Sequence, residues 1–93
     1  LDLRTLVPCD WDAIGEWVTR TSRVVIAHED QLTCGFGAEI AARIAQDHFH
    51  HLDAPVRRVA SLDTPVAYCP DLEEVILPNA SNILEAIRET ARY

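Results

Sequence analysis

Basic residues are scarce in this sequence. Eight of its 93 residues are lysine or arginine against fifteen aspartates and glutamates, so the formal net charge at pH 7 is −7. A surface of this charge repels nucleic-acid phosphates and anionic lipids and attracts basic proteins. We therefore expect neither nucleic acid nor a membrane among the partners of this protein.

Long apolar runs are also missing. No run approaches the roughly 18 residues that a membrane-spanning helix needs, and the first residues lack the basic, apolar and small-residue pattern of a signal peptide. The three cysteines, Cys9, Cys34 and Cys69, form neither a CxxC pair nor an even-numbered disulfide set. We expect reduced thiols and a cytoplasmic location.

The chain has no methionine, and it opens on LDLRTLVP, which resembles the interior of a strand more than the start of a protein. Apolar residues make up 48% and charged residues 25%, which is typical of a folded globular chain. A chain of 93 residues forms one small domain at most. We expect residues 1–93 to be a single domain that belongs to a longer protein.

The spacing of apolar residues predicts alternating strands and helices. Short β-branched runs indicate strands, and apolar residues three or four positions apart indicate helices, with Asp10 and Asn79 as N-caps. Residues 61–78 contain three prolines and no clear period, so we predict a loop there. The predicted strands are 1–6, 24–27 and 56–60, and the predicted helices are 11–21, 36–51 and one that starts at 80. This order predicts an α/β fold with right-handed crossovers.

The stretch HEDQLTCGFGAEIA, residues 28–41, follows a predicted parallel strand, where ligands of open α/β sheets commonly bind. Gly35 and Gly37 match two glycines of a dinucleotide motif, but the third glycine and a phosphate-loop lysine are missing. Cys34 with His28 as nucleophile and base is one alternative. The favoured interpretation is a tight turn in which the glycines let the chain approach the sheet and Cys34 packs as a small apolar group.

A second polar stretch is DHFHHLD, residues 47–53. On the predicted helix Asp47 lies four positions and His48 three positions before His51, a spacing that can chelate a divalent cation. A complete ligand set is missing, and imidazoles near the last carbonyls of a helix are mildly favourable by themselves. We predict a helix end and no metal site.

Four blocks of the sequence resemble one protein family. DLRTLVPCDWD, RVVIAHEDQLTCGFGAEIA, LDAPVRRVASLDTPVAY and ILPNASNILEAIRETARY occur in the order found in the C-terminal domain of the β subunit of thiamine-dependent 2-oxo acid dehydrogenases. HED followed by LT, Phe-Gly and Glu-Ile is closer to the branched-chain (2-oxoisovalerate) enzymes than to the pyruvate enzymes. Cys34 stands where the branched-chain pattern usually has glycine.

The resemblance implies a three-layer α/β/α fold with a mainly parallel sheet, similar to the transketolase C-terminal domain. In that family a further strand lies between the strands predicted at 1–6 and 24–27, so this chain is expected to lack the first strands and a helix of the domain. The resemblance also implies an α2β2 assembly, with an α subunit and a second β subunit as partners. The assembly decarboxylates a 2-oxo acid on thiamine diphosphate with magnesium and passes the acyl group to a lipoyl arm.

The residues that serve the cofactor in this family lie outside the segment that matches. The diphosphate is held by a Gly-Asp-Gly signature of the partner subunit, and this chain contains no Gly-Asp-Gly. We therefore assign no catalytic, cofactor-binding or metal-binding residue in this chain and expect the 93 residues alone to be inactive.

The resemblance does imply a docking role. In the family, the small basic subunit-binding domain of the lipoyl acyltransferase binds the C-terminal domains of the β subunits through the acid of the LDAP motif and the terminal carboxylate. By motif these are Asp53 and Tyr93 here, provided that Tyr93 is the natural end of the chain. The alternative for Asp53 is that it only caps the turn after the second helix. The alternatives for the whole chain are the pyruvate-type β subunit and a free-standing small α/β module that binds a metabolite or a metal.

Overall fold

A computed structural model describes all residues from 1 to 93. Four α-helices and two strands alternate along the chain, and a short 3-10 turn at Phe49–His51 extends the second helix. In chain order the elements are α1 (Trp11–Thr21), β1 (Val25–Gln31), α2 (Phe36–His48), β2 (Arg57–Ser61), α3 (Pro70–Ile76) and α4 (Ala80–Arg92).

The helix ends follow from local chemistry. The Asp10 carboxylate accepts a hydrogen bond from the Ala13 amide at 3.0 Å and caps α1. Helix α1 ends where Ser22 adopts a left-handed conformation, with φ at 58°. At the start of α4, the side chains of Asn79 and Asn82 each accept a hydrogen bond from the other's backbone amide. These contacts confirm both N-caps predicted from the sequence.

The two strands are parallel, and α2 connects them. Val25 pairs with Arg57 and Ala27 with Val59, and an irregularity follows before Gln31 pairs with Ser61. Helix α2 and helix α4 both pack on the strands but not on each other, so they cover opposite faces of the sheet. This arrangement confirms the α/β/α layering that was expected, with a sheet of two parallel strands.

The buried core lies between α1, α2 and β1. Four apolar side chains form its centre, and partly buried residues such as Ile26 and Phe36 pack around them. Only ten of the 93 residues are buried. The core is therefore small, and much of the stability of the fold depends on partly exposed contacts. The four central residues are Ile14, Val18, Ile40 and Ile44.

Two sequence predictions are wrong. Residues 1–6 form no strand, and Arg4 has a positive φ of 60°. A strand needs a hydrogen-bonding neighbour, and no segment of the structure pairs with these residues. The predicted loop at 61–78 contains the helix α3, whose start has Pro70 in its first turn, a favoured position for proline.

An open groove runs along the free edge of β1. It has a volume of about 880 Å³, and 13 of its 20 lining residues are hydrophobic. Residues from 1 to 6 form one side, and β1 with α1 and α2 forms the other. The groove thus lies between the two segments where the family resemblance predicts a further strand, and a strand in this place stays a prediction. No helix of the structure combines the length and the apolar character needed to cross a membrane.

Candidate functional site

The glycines of HEDQLTCGFGAEIA make room for the imidazole of His28. A Cβ atom on Gly37 would overlap His28 Nε2, and a Cβ atom on Gly35 would lie 2.8 Å from His28 Cε1. The same Cβ on Gly35 would also overlap the carbonyl oxygen of Gln31. Both positions therefore require glycine for close approach, which supports the interpretation of this stretch as a packed turn.

His28 is the unusual residue of this turn. Both of its ring nitrogens are buried, and neither has a hydrogen-bond partner. Leaving a buried polar atom without a partner costs roughly 1–3 kcal/mol. Because His28 also lines the groove beside β1, its imidazole is a polar group that a groove occupant can pair with.

Cys34 makes no hydrogen bond with His28, so the structure contains no nucleophile and base pair here. The cysteine is exposed and has a φ of 61°, in the left-handed region that favours glycine. This left-handed backbone explains why the branched-chain pattern usually has glycine at the position that Cys34 occupies here. Its side chain faces solvent, so the expectation that Cys34 packs as a small apolar group is wrong.

The sequence did not reveal a clamp that joins the two loops at the carboxyl end of the sheet. The Asp63 carboxylate accepts hydrogen bonds from the amide and the hydroxyl of Thr33, at 2.9 and 2.5 Å. Arg58 Nη1 donates to the carbonyl of Leu32 at 2.6 Å. The Thr33 hydroxyl, then the Thr33 amide and the nearby Arg58, hold the pKa of Asp63 below its ordinary value of 3.8. These contacts fix the loop that carries Cys34.

The histidine-rich stretch is a helix end. The ring centroids of His48 and His51 lie 6.3 Å apart, and those of His50 and His51 lie 4.5 Å apart. A Cβ atom on Gly15 would come within 2.9 Å of His48 Nε2, so His48 packs closely against α1. No group of three or more histidine, cysteine, aspartate or glutamate side chains is arranged to hold a metal ion.

Asp53 lies exposed in the turn before β2. Its amide donates to the carbonyl of Ser22 at 2.8 Å, which anchors the backbone of the turn to the end of α1. Its carboxylate lies 3.5 Å from Arg23 Nη1 and accepts no backbone hydrogen bond. The carboxylate therefore does not cap the turn after α2, and the alternative interpretation of Asp53 lacks the contact that it needs. Arg23 is a neighbour of this site that the sequence did not indicate.

Tyr93 follows the last residue of α4 and is 69% exposed. Helix α4 packs on both strands, and its Glu89 forms an ion pair with Arg57 at 3.2 Å. Because Arg57 is the first residue of β2, this pair places the end of α4 at the amino end of the sheet. Asp53 precedes Arg57 by four positions, so Asp53 and Tyr93 lie at the same end of the molecule.

The turn at residues 28–41 does not fit the diphosphate of thiamine diphosphate. The spaces beside Gly35 and Gly37 are filled by the His28 ring and the Gln31 carbonyl, and a carbonyl oxygen repels a phosphate. Glu39 lies in the first turn of α2, where its carboxylate further disfavours an anion. We therefore derive no chemical step through this cofactor within the chain.

Comparison with known proteins identifies relatives along the whole chain. Residues 1–83 match the family model of the transketolase C-terminal domain. The chain is 45% identical over 93 residues to 2-oxoisovalerate dehydrogenase subunit beta 2, mitochondrial, of Arabidopsis thaliana, covering 100% of this chain and 25% of that protein. It is 41% identical over 93 residues to 3-methyl-2-oxobutanoate dehydrogenase subunit beta of Mycobacterium tuberculosis, covering 99% and 26%.

A pyruvate-type relative is similar to nearly the same degree. The chain is 39% identical over 93 residues to pyruvate dehydrogenase E1 component subunit beta of Rickettsia felis, covering 100% of this chain and 28% of that protein. The chain thus spans about a quarter of the length of these relatives. With its parallel α/β/α architecture and a family match over most of its length, the chain belongs to the transketolase C-terminal domain family.

Proposed function

We propose that this chain is the C-terminal domain of the β subunit of a 2-oxo acid dehydrogenase, and that it serves assembly and the docking of a partner. The observation that carries the proposal is the similarity over all 93 residues to β subunits of such dehydrogenases. The identity is 45% and 41% to two branched-chain relatives and 39% to a pyruvate-type relative. We infer the branched-chain type, with pyruvate dehydrogenase as the second candidate.

The proposed enzyme decarboxylates a 2-oxo acid on thiamine diphosphate with magnesium, in an assembly of two α and two β subunits. In this proposal the cofactor binds outside the 93 residues, because the chain contains no Gly-Asp-Gly and the turn at residues 28–41 does not fit a diphosphate. The role of this chain is then mechanical and electrostatic. It contributes surface to the assembly and presents carboxylates to the lipoyl acyltransferase that receives the acyl group.

The docking surface that we propose consists of Asp53 and Tyr93, the latter through its terminal carboxylate provided that Tyr93 is the natural end of the protein. They lie at the same end of the molecule, and both are exposed. The net charge of −7 attracts a basic subunit-binding domain, and a lysine or arginine of that domain then forms charge-assisted hydrogen bonds with the two carboxylates. The amide of Asp53, anchored to Ser22, keeps the side chain in place.

Within the chain, the Asp53 carboxylate already has a cationic neighbour, Arg23, with which a docking partner would compete. The two side chains are 40% and 62% exposed and their charged atoms are 3.5 Å apart. Pairs with this exposure contribute little to stability, on the order of 0–1 kcal/mol. A partner arginine with ideal geometry can therefore replace Arg23, or share the carboxylate with it, at small cost.

The test replaces Asp53 in the assembled enzyme. Asp53→Lys should weaken binding of the acyltransferase core by about 2 kcal/mol or more, mostly through faster dissociation, because a buried charge pair becomes a repulsive one. Decarboxylation of free 2-oxo acid should stay unchanged, since the proposal places the cofactor outside the 93 residues. Surface plasmon resonance with the isolated subunit-binding domain measures the first effect, and a dye-reduction assay measures the second.

The matched control is Glu39→Lys, which makes the same change of charge at an exposed position at the other end of α2. It should alter the association rate slightly and leave the dissociation rate unchanged. Unchanged affinity of the Asp53→Lys enzyme at low salt would remove this site from the proposal. Assays with 2-oxoisovalerate and pyruvate side by side decide between the two substrate classes.

A further inference from the structure

Helix α3 presents two large apolar side chains to solvent, while a third, Ile76, is partly buried. Leu72 and Val75 lie one helical turn apart and are 57% and 69% exposed, whereas Glu73 between them is partly buried. None of the seven residues of α3 is buried, and the helix has no extended contact with another helix or strand. A free amphipathic helix normally turns the opposite way, with its apolar side inward.

The segment before α3 continues the same surface. Tyr68 is fully exposed, and Val66 is 56% exposed. We name Val66, Tyr68, Leu72 and Val75 the α3 surface. Single exposed apolar residues are ordinary, but four within ten positions, two on α3 and two just before it, are a concentration of the kind that binds proteins.

The α3 surface is held in place by backbone contacts. The Leu62 amide donates to the carbonyl of Ile76 at 3.1 Å and so ties the end of α3 to the end of β2. The Leu77 amide donates to the carbonyl of Glu73 at 2.9 Å and closes the last turn. A partner therefore meets a formed helix at this position and does not have to order it, which reduces the entropy cost of binding.

The charged residues that flank this surface in the sequence have one sign. No lysine, arginine or histidine occurs between Arg58 and Arg88, a stretch that includes all of α3. The acids within that stretch are Asp63, Asp71, Glu73, Glu74 and Glu85. A second copy of this chain would bring two acidic rims together, which is repulsive, whereas a basic partner is attracted.

We propose that the α3 surface binds a basic polypeptide segment that carries apolar side chains, with the apolar groups on Tyr68, Leu72 and Val75 and its lysines or arginines on Asp71 and Glu74. Apolar contact supplies binding energy and the acidic rim selects the partner. The site is separate from Asp53. Leu62 joins α3 to the carboxyl end of β2, and Asp53 precedes the amino end of that strand. The proposal therefore does not depend on the proposed function, and the chain can hold two basic partners at once.

The experiment uses the intact protein that carries this chain and dye-labelled peptides as probes. One peptide alternates lysine and leucine, a second has glutamate in place of lysine, and a third has serine in place of leucine. Fluorescence anisotropy measures affinity, and hydrogen exchange measures protection along residues 62–76. We expect only the lysine and leucine peptide to bind well and to protect this segment.

Two double variants test the surface. Asp71→Arg with Glu74→Arg should weaken binding at least tenfold, and the control Glu16→Arg with Asp47→Arg, which changes the net charge equally, should weaken it less than twofold. Asp71 lies in the first turn of α3, where an acid stabilises a helix, so replacing it can also weaken the helix itself. The second test therefore leaves Asp71 in place: Leu72→Ser with Val75→Ser should also weaken binding tenfold.

Three results would overturn the proposal. The first is equal weakening by the control pair, which would mean attraction to net charge alone. The second is protection outside residues 62–76. The third is self-association of the protein that Leu72→Ser abolishes, which would make a second copy the occupant. Normal binding of the acyltransferase domain by the α3 variants, with loss of the basic peptide, separates this site from Asp53.

Discussion

Gly37 lies directly against the imidazole of His28, so that a Cβ atom at position 37 would overlap Nε2 of the ring. This contact joins the first turn of α2 to β1, and it explains the glycine without any bound ligand. The polar motif at residues 28–41 is thus a packing motif around a buried histidine.

The contact predicts that Gly37→Ala destabilises the protein although alanine favours helices. Alanine in place of glycine within a helix is worth roughly 1 kcal/mol, whereas forcing an extra carbon into a packed site costs about 1–3 kcal/mol. We expect a net loss of about 1 kcal/mol or more in chemical denaturation, because the ring cannot move without disturbing β1. Combining Gly37→Ala with His28→Ala should recover the loss, and a single variant as stable as the parent would contradict the packing argument.

Cys34 has a positive φ of 61°, which predicts that Cys34→Gly is tolerated or stabilising. Replacing a left-handed non-glycine residue by glycine removes a backbone strain of about 1 kcal/mol. Part of this gain in the free energy of unfolding is lost, because glycine makes the unfolded chain more flexible. In the dehydrogenase that we propose, turnover should stay within a few fold, since the loop needs this backbone shape and no thiol. A loss of about a thousandfold in a folded variant, the scale of a lost nucleophile, would restore Cys34 as a catalytic residue.

The Thr33 and Asp63 clamp predicts a pH effect of defined sign. The pKa of Asp63 is lower in the folded state than its ordinary value of 3.8. Its contribution to stability is therefore present above pH 3.8 and is lost as the pH falls through the lower folded value. Melting curves from pH 6 to pH 2 should show a larger decrease in Tm for the parent than for Asp63→Asn. Parallel curves for the two proteins would mean that the clamp is absent in solution.

The groove beside β1 predicts that residues 1–93 expressed alone are only marginally stable or associate. The free edge of β1 leaves amides and carbonyls without strand partners, and only ten residues are buried. Analytical ultracentrifugation and thermal melting of the 93-residue chain check this expectation. A cooperative melt of a clean monomer would show that the two-stranded sheet suffices.

Local patterns were enough to predict α1, α2 and α4. The N-caps Asp10 and Asn79 act within one turn, and apolar residues at helical spacing mark the buried side of each helix. The two parallel strands were also predicted to within a few residues. Each was recognised from a short run that contains β-branched residues. Helix α3 was missed because it has only seven residues, which is too short for a helical period to stand out among three prolines.

The candidate site depended more on tertiary structure. Asp53 and Tyr93 came from a family resemblance, and their position at one end of the molecule follows only from the ion pair of Arg57 with Glu89. The partner of Asp53, Arg23, is thirty positions away in sequence. No local pattern can reveal such a neighbour, because contact at that separation is decided by how the helices and strands pack.

The sequence by itself determined where most helices and strands form and that the surface is acidic, since caps, periodicity and charge are properties of neighbouring residues. Only the tertiary structure decided what each special residue does. It turned residues 1–6 away from a strand because no neighbour pairs with them, it joined Thr33 to Asp63 across thirty positions, and it placed His28 against Gly37. Each of these outcomes depends on contacts between distant segments, whose free energy is set by packing and hydrogen bonding in the folded chain.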